Sequence, residues 1–341
     1  MLKSEIESGS QGPSTPSGFS DRKKQSAASE PKAGTAMPAR VGFVGLGRMG
    51  RAMAPHLAAA GHKVVAYVRD AEQIPSLEAL GLRPTVDFAA LSDCELVITM
   101  LPDDSAVREV VLGSRGADGL LVGLKSGADQ LSMSTISPSA ASELAGRHAQ
   151  YRQGFVSAPV FGNPEAAEAR QLYIIAAGAA PDLDRCAAIF DALGQQTFRV
   201  GSDPASANLI KLAGNVMSAA TLEVLGEVFA LVRKRGLDPR QLLAILTGTM
   251  FGSRVHKIYG AKIAEQQYAP GNFIFPLALK DVRLALQEAE AAGVPMPSVS
   301  VVRDRLITGI ARGYAGRDWS ALGLLAAEEA GLSPEPEKAE V

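Results

Sequence analysis

Over the first two thirds of the chain, short apolar runs alternate with stretches of helical periodicity. "VGFVG" from position 41 is an apolar run that ends in glycine, and 48–60 then repeats its apolar residues with a helical period. The same alternation continues through a strand "GHKVVAYV" with a short helix "AEQIPSLEAL", a strand "ELVITML" with a helix over 103–112, and a strand "LSMSTI" with a helix over 138–148. "FVSAPV", "LYIIAAG" and "TFRV" close the series, with a helix over 181–193 between the last two. Strands alternating with helices predict βαβ units and a doubly wound, mostly parallel sheet.

Past Gly201 the strand pattern stops. Asp203-Pro204 opens a helical stretch that runs to about Arg235, with Ser202 or Asp203 as its N-cap. Further helices are predicted over 238–248, 280–292, 297–312 and 319–330, each bounded by glycine or proline. The long helix is apolar nearly all round, the mark of a helix buried among others or across a subunit interface. The domain layout is therefore a disordered tail over 1–38, a nucleotide-binding domain over 39–201, an all-helical domain over 202–331 and a polar tail over 332–341. Ser, Gly, Pro and mixed charge fill the first tail, which has no apolar core segment and so does not read as a secretory signal.

Composition narrows the function. The 341 residues carry a formal net charge of -2, too balanced for a nucleic-acid or anionic-membrane footprint. No apolar run approaches a membrane span of roughly 18 residues. Cys94 and Cys186 lie far apart with no CxxC spacing, so neither a disulfide framework nor a zinc site is expected, and a cytoplasmic location fits best.

Gly45-Leu46-Gly47-Arg48-Met49-Gly50 is a GxGxxG placed between a strand and a helix. The first glycine suits the tight turn, the second lets the backbone approach a pyrophosphate, and the third lets helix and strand pack closely. A Rossmann-type fold that binds a dinucleotide follows. Arg69 ends the second strand, where an arginine can pair with the 2′-phosphate of NADP, so NADP(H) is preferred and NAD(H) stays possible. Asp70 reads as the cap of the next helix. "GLLVGLKSG" lacks the Gly-Lys pair of a P-loop, no GxSxG is present, and no HExxH joins His56, His62, His148 and His256, so no metal site is expected. Packing accounts for His56 and His62, and His148 closes a surface helix.

Lys211 is the only charged residue between 205 and 222. Asn215 shares its helical face, and Asn208 and Ser218 extend the stripe. Two readings stay open: a solvated face, or a buried lysine with a lowered pKa that acts as acid or base in hydride transfer to a carbonyl.

Five ordered segments together resemble the β-hydroxyacid dehydrogenase family, which includes 3-hydroxyisobutyrate dehydrogenase and tartronate semialdehyde reductase. They are "VGFVGLGRMGRAMAPHLAAAGHKVVAYVRD", "TMLPDDSAVREVVLG", "GLLVGLKSGADQLSMSTISP", "LIKLAGN" and "FPLALKDVRLALQEAEAAGVPMP", and the resemblance as a whole runs from Val41 to about Gly331. The resemblance implies that Lys211 is the catalytic lysine, Asn215 a substrate ligand and Ser134 the holder of a substrate carboxylate. It also implies that Thr135, Leu101 and Pro102 line the nicotinamide side, that Lys280 reaches the cofactor, and that homodimers or homotetramers form on the long helix. The chain departs from the family twice. Phe161-Gly162-Asn163 stands where Ser-Gly-Gly is usual: Gly162 keeps the close backbone approach, Phe161 adds an aromatic wall and Asn163 adds an amide. Ser132 stands where Asp is often found. The expected activity is an NADPH-dependent interconversion of a short β-hydroxyacid and its semialdehyde or oxo acid. An imine reductase and a non-catalytic dinucleotide-binding scaffold are the alternatives.

Overall fold

The computed structural model describes residues 39–332 apart from 115, 116, 270 and 272. The tail over 1–38, and the end of the chain past Leu332, lie outside the described residues. In chain order the strands of the main sheet are β1 (Arg40–Val44), β2 (Lys63–Tyr67), β3 (Arg83–Thr85) and β4 (Leu96–Thr99). A short antiparallel pair follows, β5 (Gly113–Ser114) with β6 (Ala117–Asp118), and then β7 (Asp129–Ser132) and β8 (Gly154–Ser157) complete the main sheet. Its order is β3-β2-β1-β4-β7-β8, and every pairing is parallel. β1 and β4 are buried almost throughout, as strands covered by helices on both faces must be. The chain winds outward from β1 to β3, then restarts at β4 on the other side. The crevice at that switch point, at the carboxyl ends of β1 and β4, is where such sheets bind ligands.

The end of the strand series differs from the sequence expectation. "FVSAPV" is not one strand but two, because Pro159 has no N–H for a ladder and the chain turns there. Its first part is β8; its second is β9 (Val160–Phe161), in a separate sheet with β10 (Leu172–Ala176) and β11 (Gly194–Arg199). β9 runs antiparallel to β10, and one bridge between Ser157 and Ala177 links the two sheets. "LSMSTI" leaves the sheet after Ser132. The helix expected over 181–193 is broken at Cys186 into Ala180–Arg185 and Ala187–Leu193. His148 is fully buried rather than at the surface: Nδ1 lies 2.8 Å from Gln153 and Nε2 2.6 Å from Gln130, and burial pushes its pKa down to about 4.

The long helix spans Pro204–Lys234, and the Asp203 carboxylate caps it by accepting from Ala205 N–H at 3.1 Å. Against the expectation, this helix is long and apolar enough by length and composition to cross a membrane, yet half of its most apolar window is buried inside the protein, as in a core helix. Glu223, buried on it, accepts from Arg305 at 2.6 Å. Around it pack Pro239–Gly248, Arg254–Ala264, Phe275–Ala291, Pro297–Ala311 and Leu322–Glu329. Two of these depart from the sequence expectation. Phe275–Ala291 starts five residues earlier than position 280, with Pro276 in its first turn, where a missing N–H costs nothing. Arg254–Ala264 is a helix that the sequence pattern does not predict, because glycine and several charges blur its apolar period.

Polar ties join the nucleotide-binding half to the helical half. Asn208 Nδ2 donates to Ser157 Oγ at 2.5 Å while its Oδ1 accepts from Ile136 N–H at 3.3 Å. Lys280 Nζ donates to Thr135 O at 2.5 Å, and Arg48 Nη1 to Gly271 O at 2.6 Å. Asn208 is thus a staple between helix and sheet, not part of an open polar stripe.

Candidate active site

A cavity of about 640 Å³ lies between the two halves, within the size range of small-molecule and cofactor sites. Gly47, Arg48, Met49 and Gly50, then Met100, Leu101 and Pro102, then Met133 and Thr135 line one end. These are the segments that follow β1, β4 and β7. Lys211, Asn215, Lys280 and Asp281 stand further along, with Phe161, Gly162 and Asn163 beside them.

The glycine loop fits a dinucleotide phosphate. Gly45 has φ +101°, and a Cβ there would lie 2.2 Å from Met100 O; at Gly50 a Cβ would lie 2.1 Å from Gly45 O. Both positions are closed to side chains by backbone. Among the described residues nothing lies within 4 Å of the missing Cβ of Gly47, which lines the cavity. No side chain caps the helix Arg48–Ala59 that starts there, which leaves its first N–H groups and positive dipole end toward that space. Leu46 is buried in the core and does not line the cavity.

Arg69 stands exposed just past β2, outside the cavity lining. The Asp70 carboxylate accepts from Glu72 N–H at 2.9 Å and caps the next turn, as expected for it.

Lys211 is buried, and its Nζ donates to Asn215 Oδ1 at 2.9 Å. Asn215 Nδ2 donates to Asp281 Oδ2 at 2.5 Å, and Asp281 Oδ1 lies 3.0 Å from Lys280 Nζ. Burial, with Lys280 adding to it, lowers the Lys211 pKa from 10.5 to about 8, although Asp281 opposes the fall. Under the ammonium sits the Phe161 ring, 4.4 Å from Nζ to centroid, a cation–π distance. The ring rests on Gly214, where a Cβ would lie 2.4 Å from its edge. An amine of this kind can give or take a proton near neutral pH.

Ser134 is placed differently from the expectation. It is fully buried and outside the cavity lining; its hydroxyl donates to Thr99 O at 3.2 Å and accepts from Leu101 N–H at 2.8 Å. In this arrangement its proton goes to Thr99 and one lone pair to Leu101, so it supports the loop that carries Leu101 and Pro102. Asn163 lines the cavity, but its Oδ1 caps the helix Pro164–Glu168 by accepting from Ala166 N–H at 3.0 Å, which leaves its amide NH₂. Ser132 is buried in the sheet.

The nucleotide-binding half, residues 40–201, matches the NAD-binding domain of 6-phosphogluconate dehydrogenase, and residues 205–334 match the NAD-binding domain of NADP-dependent 3-hydroxyisobutyrate dehydrogenase. An uncharacterised oxidoreductase of Bacillus subtilis, YfjR, is 37% identical over 83% of this chain and 98% of its own length. The 2-hydroxy-3-oxopropionate reductase of Escherichia coli is 30% identical over 83% of this chain and 95% of its own. Among solved structures, a 3-hydroxyisobutyrate dehydrogenase of Mycobacterium tuberculosis with L-serine superposes with a TM-score of 0.75 at 25% identity, covering 85% of this chain and 99% of that one. The chain belongs to the β-hydroxyacid dehydrogenase family. It is an NAD(P)-dependent oxidoreductase of the kind that acts on CH–OH groups.

This dehydrogenase brings Lys211, Asn215, Lys280, Thr135, Gly162, Asn163, Leu101, Pro102 and residues 47–50 of the glycine loop to one cavity, and leaves Ser134, Gly45, Leu46 and Arg69 off its lining. Sequence reasoning misses Asp281 and Arg254. Asp281 carries a signal, a lone acid in the apolar run "LALKDVRLAL" of a buried helix. Arg254 carries almost none, since a basic residue at a helix start looks like surface. It lines the cavity, exposed, with no ion pair or hydrogen bond on its side chain among the described residues.

Proposed function

We propose that this dehydrogenase interconverts a short β-hydroxyacid and its semialdehyde or oxo acid, with NADP(H) preferred and Lys211 as general acid and base. The observation that carries the reading is the buried Lys211 ammonium at the end of a cofactor cradle, with a pKa near 8. When bound, the nicotinamide supplies or accepts the hydride. In reduction, Lys211 Nζ gives its proton to the oxygen on which negative charge builds; in oxidation, the neutral amine takes the hydroxyl proton. Asn215 Oδ1 aims the amine, and its second amide N–H is free to meet substrate oxygen. Gly162, Asn163 and Arg254 bound the space beside the lysine, and Arg254 supplies the cation that a carboxylate calls for. Lys280, tied to Thr135 O, holds the helical half against the cofactor side.

Arg69 supports the NADP preference, because an exposed guanidinium follows β2 while the Asp70 carboxylate is occupied as a cap. Ile210, Met217, Val224 and Leu231 are exposed at seven-residue spacing on the long helix, a stripe suited to a second copy in a homodimer or homotetramer. We place the enzyme in the cytoplasm.

The test is a panel of malonate semialdehyde, methylmalonate semialdehyde and tartronate semialdehyde, with glyoxylate and succinic semialdehyde as carbonyls outside the β-hydroxyacid class, run on the purified chain with NADPH and with NADH. NADPH-dependent turnover that disappears in Lys211→Ala, with NADPH still bound, is the expected result. NADPH binding without oxidation on any carbonyl would instead leave a scaffold.

A further inference from the structure

The side of the cavity beyond Lys211 is built from rings and aliphatic chains. Phe161 is its fixed point. Its ring is held from behind by the apolar cluster of Ile175, Ala177, Ala207 and Val200, and from the side by the bare backbone of Gly214. Its ring lines the cavity directly under the amine, with Lys211 Nζ 4.4 Å from its centroid, so it bounds the space next to the reacting group. Across from it, Tyr259 and Phe273 stand edge-on to Trp319, with centroids 5.4 Å and 4.8 Å apart, and all three line the cavity. The ionic groups nearby are mostly spent on the protein itself. Lys262 pairs with Asp318 at 2.9 Å, and Lys280 pairs with Asp281 at 3.0 Å. A second hydroxyl or acid group on the substrate, pressed against the Phe161 ring, would lose water there and find no donor from residue 161.

We propose that this wall selects β-hydroxyacids whose substituent between carboxylate and carbinol is apolar, branched or aromatic, and that Phe161 is the residue that sets the preference. The inference rests on the hydroxyacid reading above and narrows it. Rings held rigidly by packing discriminate by size and polarity, and a single methyl or methylene in such a pocket is worth about tenfold or more in kcat/KM. A serine at 161 would put a hydroxyl beside Lys211 and reverse the sign of the selection.

Two readouts test it. Oxidation by the full chain with NADP+ is measured for glycerate, 3-hydroxypropionate, 3-hydroxyisobutyrate and 3-hydroxy-2-phenylpropionate. Independently of turnover, 2-phenylpropionate and lactate are titrated into the NADP+ complex and followed by tryptophan emission. Trp319 is the only tryptophan in the chain and lies on the wall, so the signal reports this site. The expected result is a kcat/KM roughly tenfold or more higher for 3-hydroxyisobutyrate than for glycerate, and 2-phenylpropionate bound tighter than lactate by a similar factor. Phe161→Ser should erase or invert both ratios, whereas Phe161→Leu keeps their order. Equal or better use of glycerate by the unmodified protein, or ratios unmoved in Phe161→Ser, overturns the inference. If no hydroxyacid turns over but the binding ratio holds and inverts in Phe161→Ser, the wall assignment stands and the reaction proposed above falls.

Discussion

Burying an ammonium for chemistry has a cost in stability, and Lys211→Met measures it. The fall of the Lys211 pKa from 10.5 to about 8 corresponds to ~3 kcal/mol of destabilisation of the charged folded state, at about 1.4 kcal/mol per pH unit. Methionine keeps the unbranched shape and removes the charge. It also leaves Asn215 Oδ1 without its donor, a loss of about 1 kcal/mol. The variant should therefore be more stable than the parent by about 2 kcal/mol at neutral pH while turnover drops by about a hundredfold or more. The sign follows from proton counts. Below pH 8 lysine is protonated in both states, and the folded chain bears the whole cost. Between about 8 and 10.5 the folded chain has released the proton and the unfolded chain still holds it, so parental stability rises with pH. Above 10.5 neither state carries the charge. Thermal and urea unfolding of both proteins from about pH 6 to about pH 10.5 should thus show a gap that is widest at the acid end and closes toward the alkaline end. A parent more stable than Lys211→Met at neutral pH, or a gap flat across that range, would refute the assignment of Lys211 as a desolvated cation.

Arg69→Ala should weaken NADPH by roughly tenfold to a hundredfold, the worth of a charge-assisted pair, and leave NADH nearly unchanged in a fluorescence titration; equal loss for both cofactors contradicts the 2′-phosphate role. Gly47→Ala and Gly50→Ala should part ways. With nothing within 4 Å, a methyl at 47 leaves thermal unfolding near the parent and weakens cofactor binding, whereas one at 50 meets Gly45 O at 2.1 Å and lowers the melting temperature as well. Arg254→Ala should raise KM for an acid substrate by roughly tenfold with kcat little changed, and steady-state kinetics at fixed NADPH would reveal a kcat loss instead if the guanidinium acts in the transition state.

Much of the site is legible in the amino-acid sequence, for identifiable reasons. Lys211 stands out because an apolar helix seldom tolerates one charge, and burial by the sheet and the helix Phe275–Ala291 explains why it is there. Periodicity places Asn208 on the same face, yet it does not say that a long helix resting on two layers turns one end of that face into a staple. Ser134 illustrates a different limit. A hydroxyl after a strand is equally able to meet a ligand or two backbone groups, and its bonds to Thr99 and Leu101 depend on the path of the Leu101 loop, which the sequence does not show. The split of "FVSAPV" is signalled by Pro159, whereas Arg254–Ala264 lacks a clean apolar period and gives no such signal. Asp281 needs the crossing of two helices to become visible.

The seat of Phe161 on Gly214 ties together two positions far apart in the chain. While the ring holds this place, a methyl at 214 would lie 2.4 Å from its edge, so any side chain there must push the ring aside. Sequence change here therefore has a direction. Residue 161 can shrink first and leave a harmless gap, after which 214 is free to vary, but the reverse order passes through a collision. An aromatic wall under the lysine and a side chain at 214 compete for the same space, so the two positions act as a pair rather than singly.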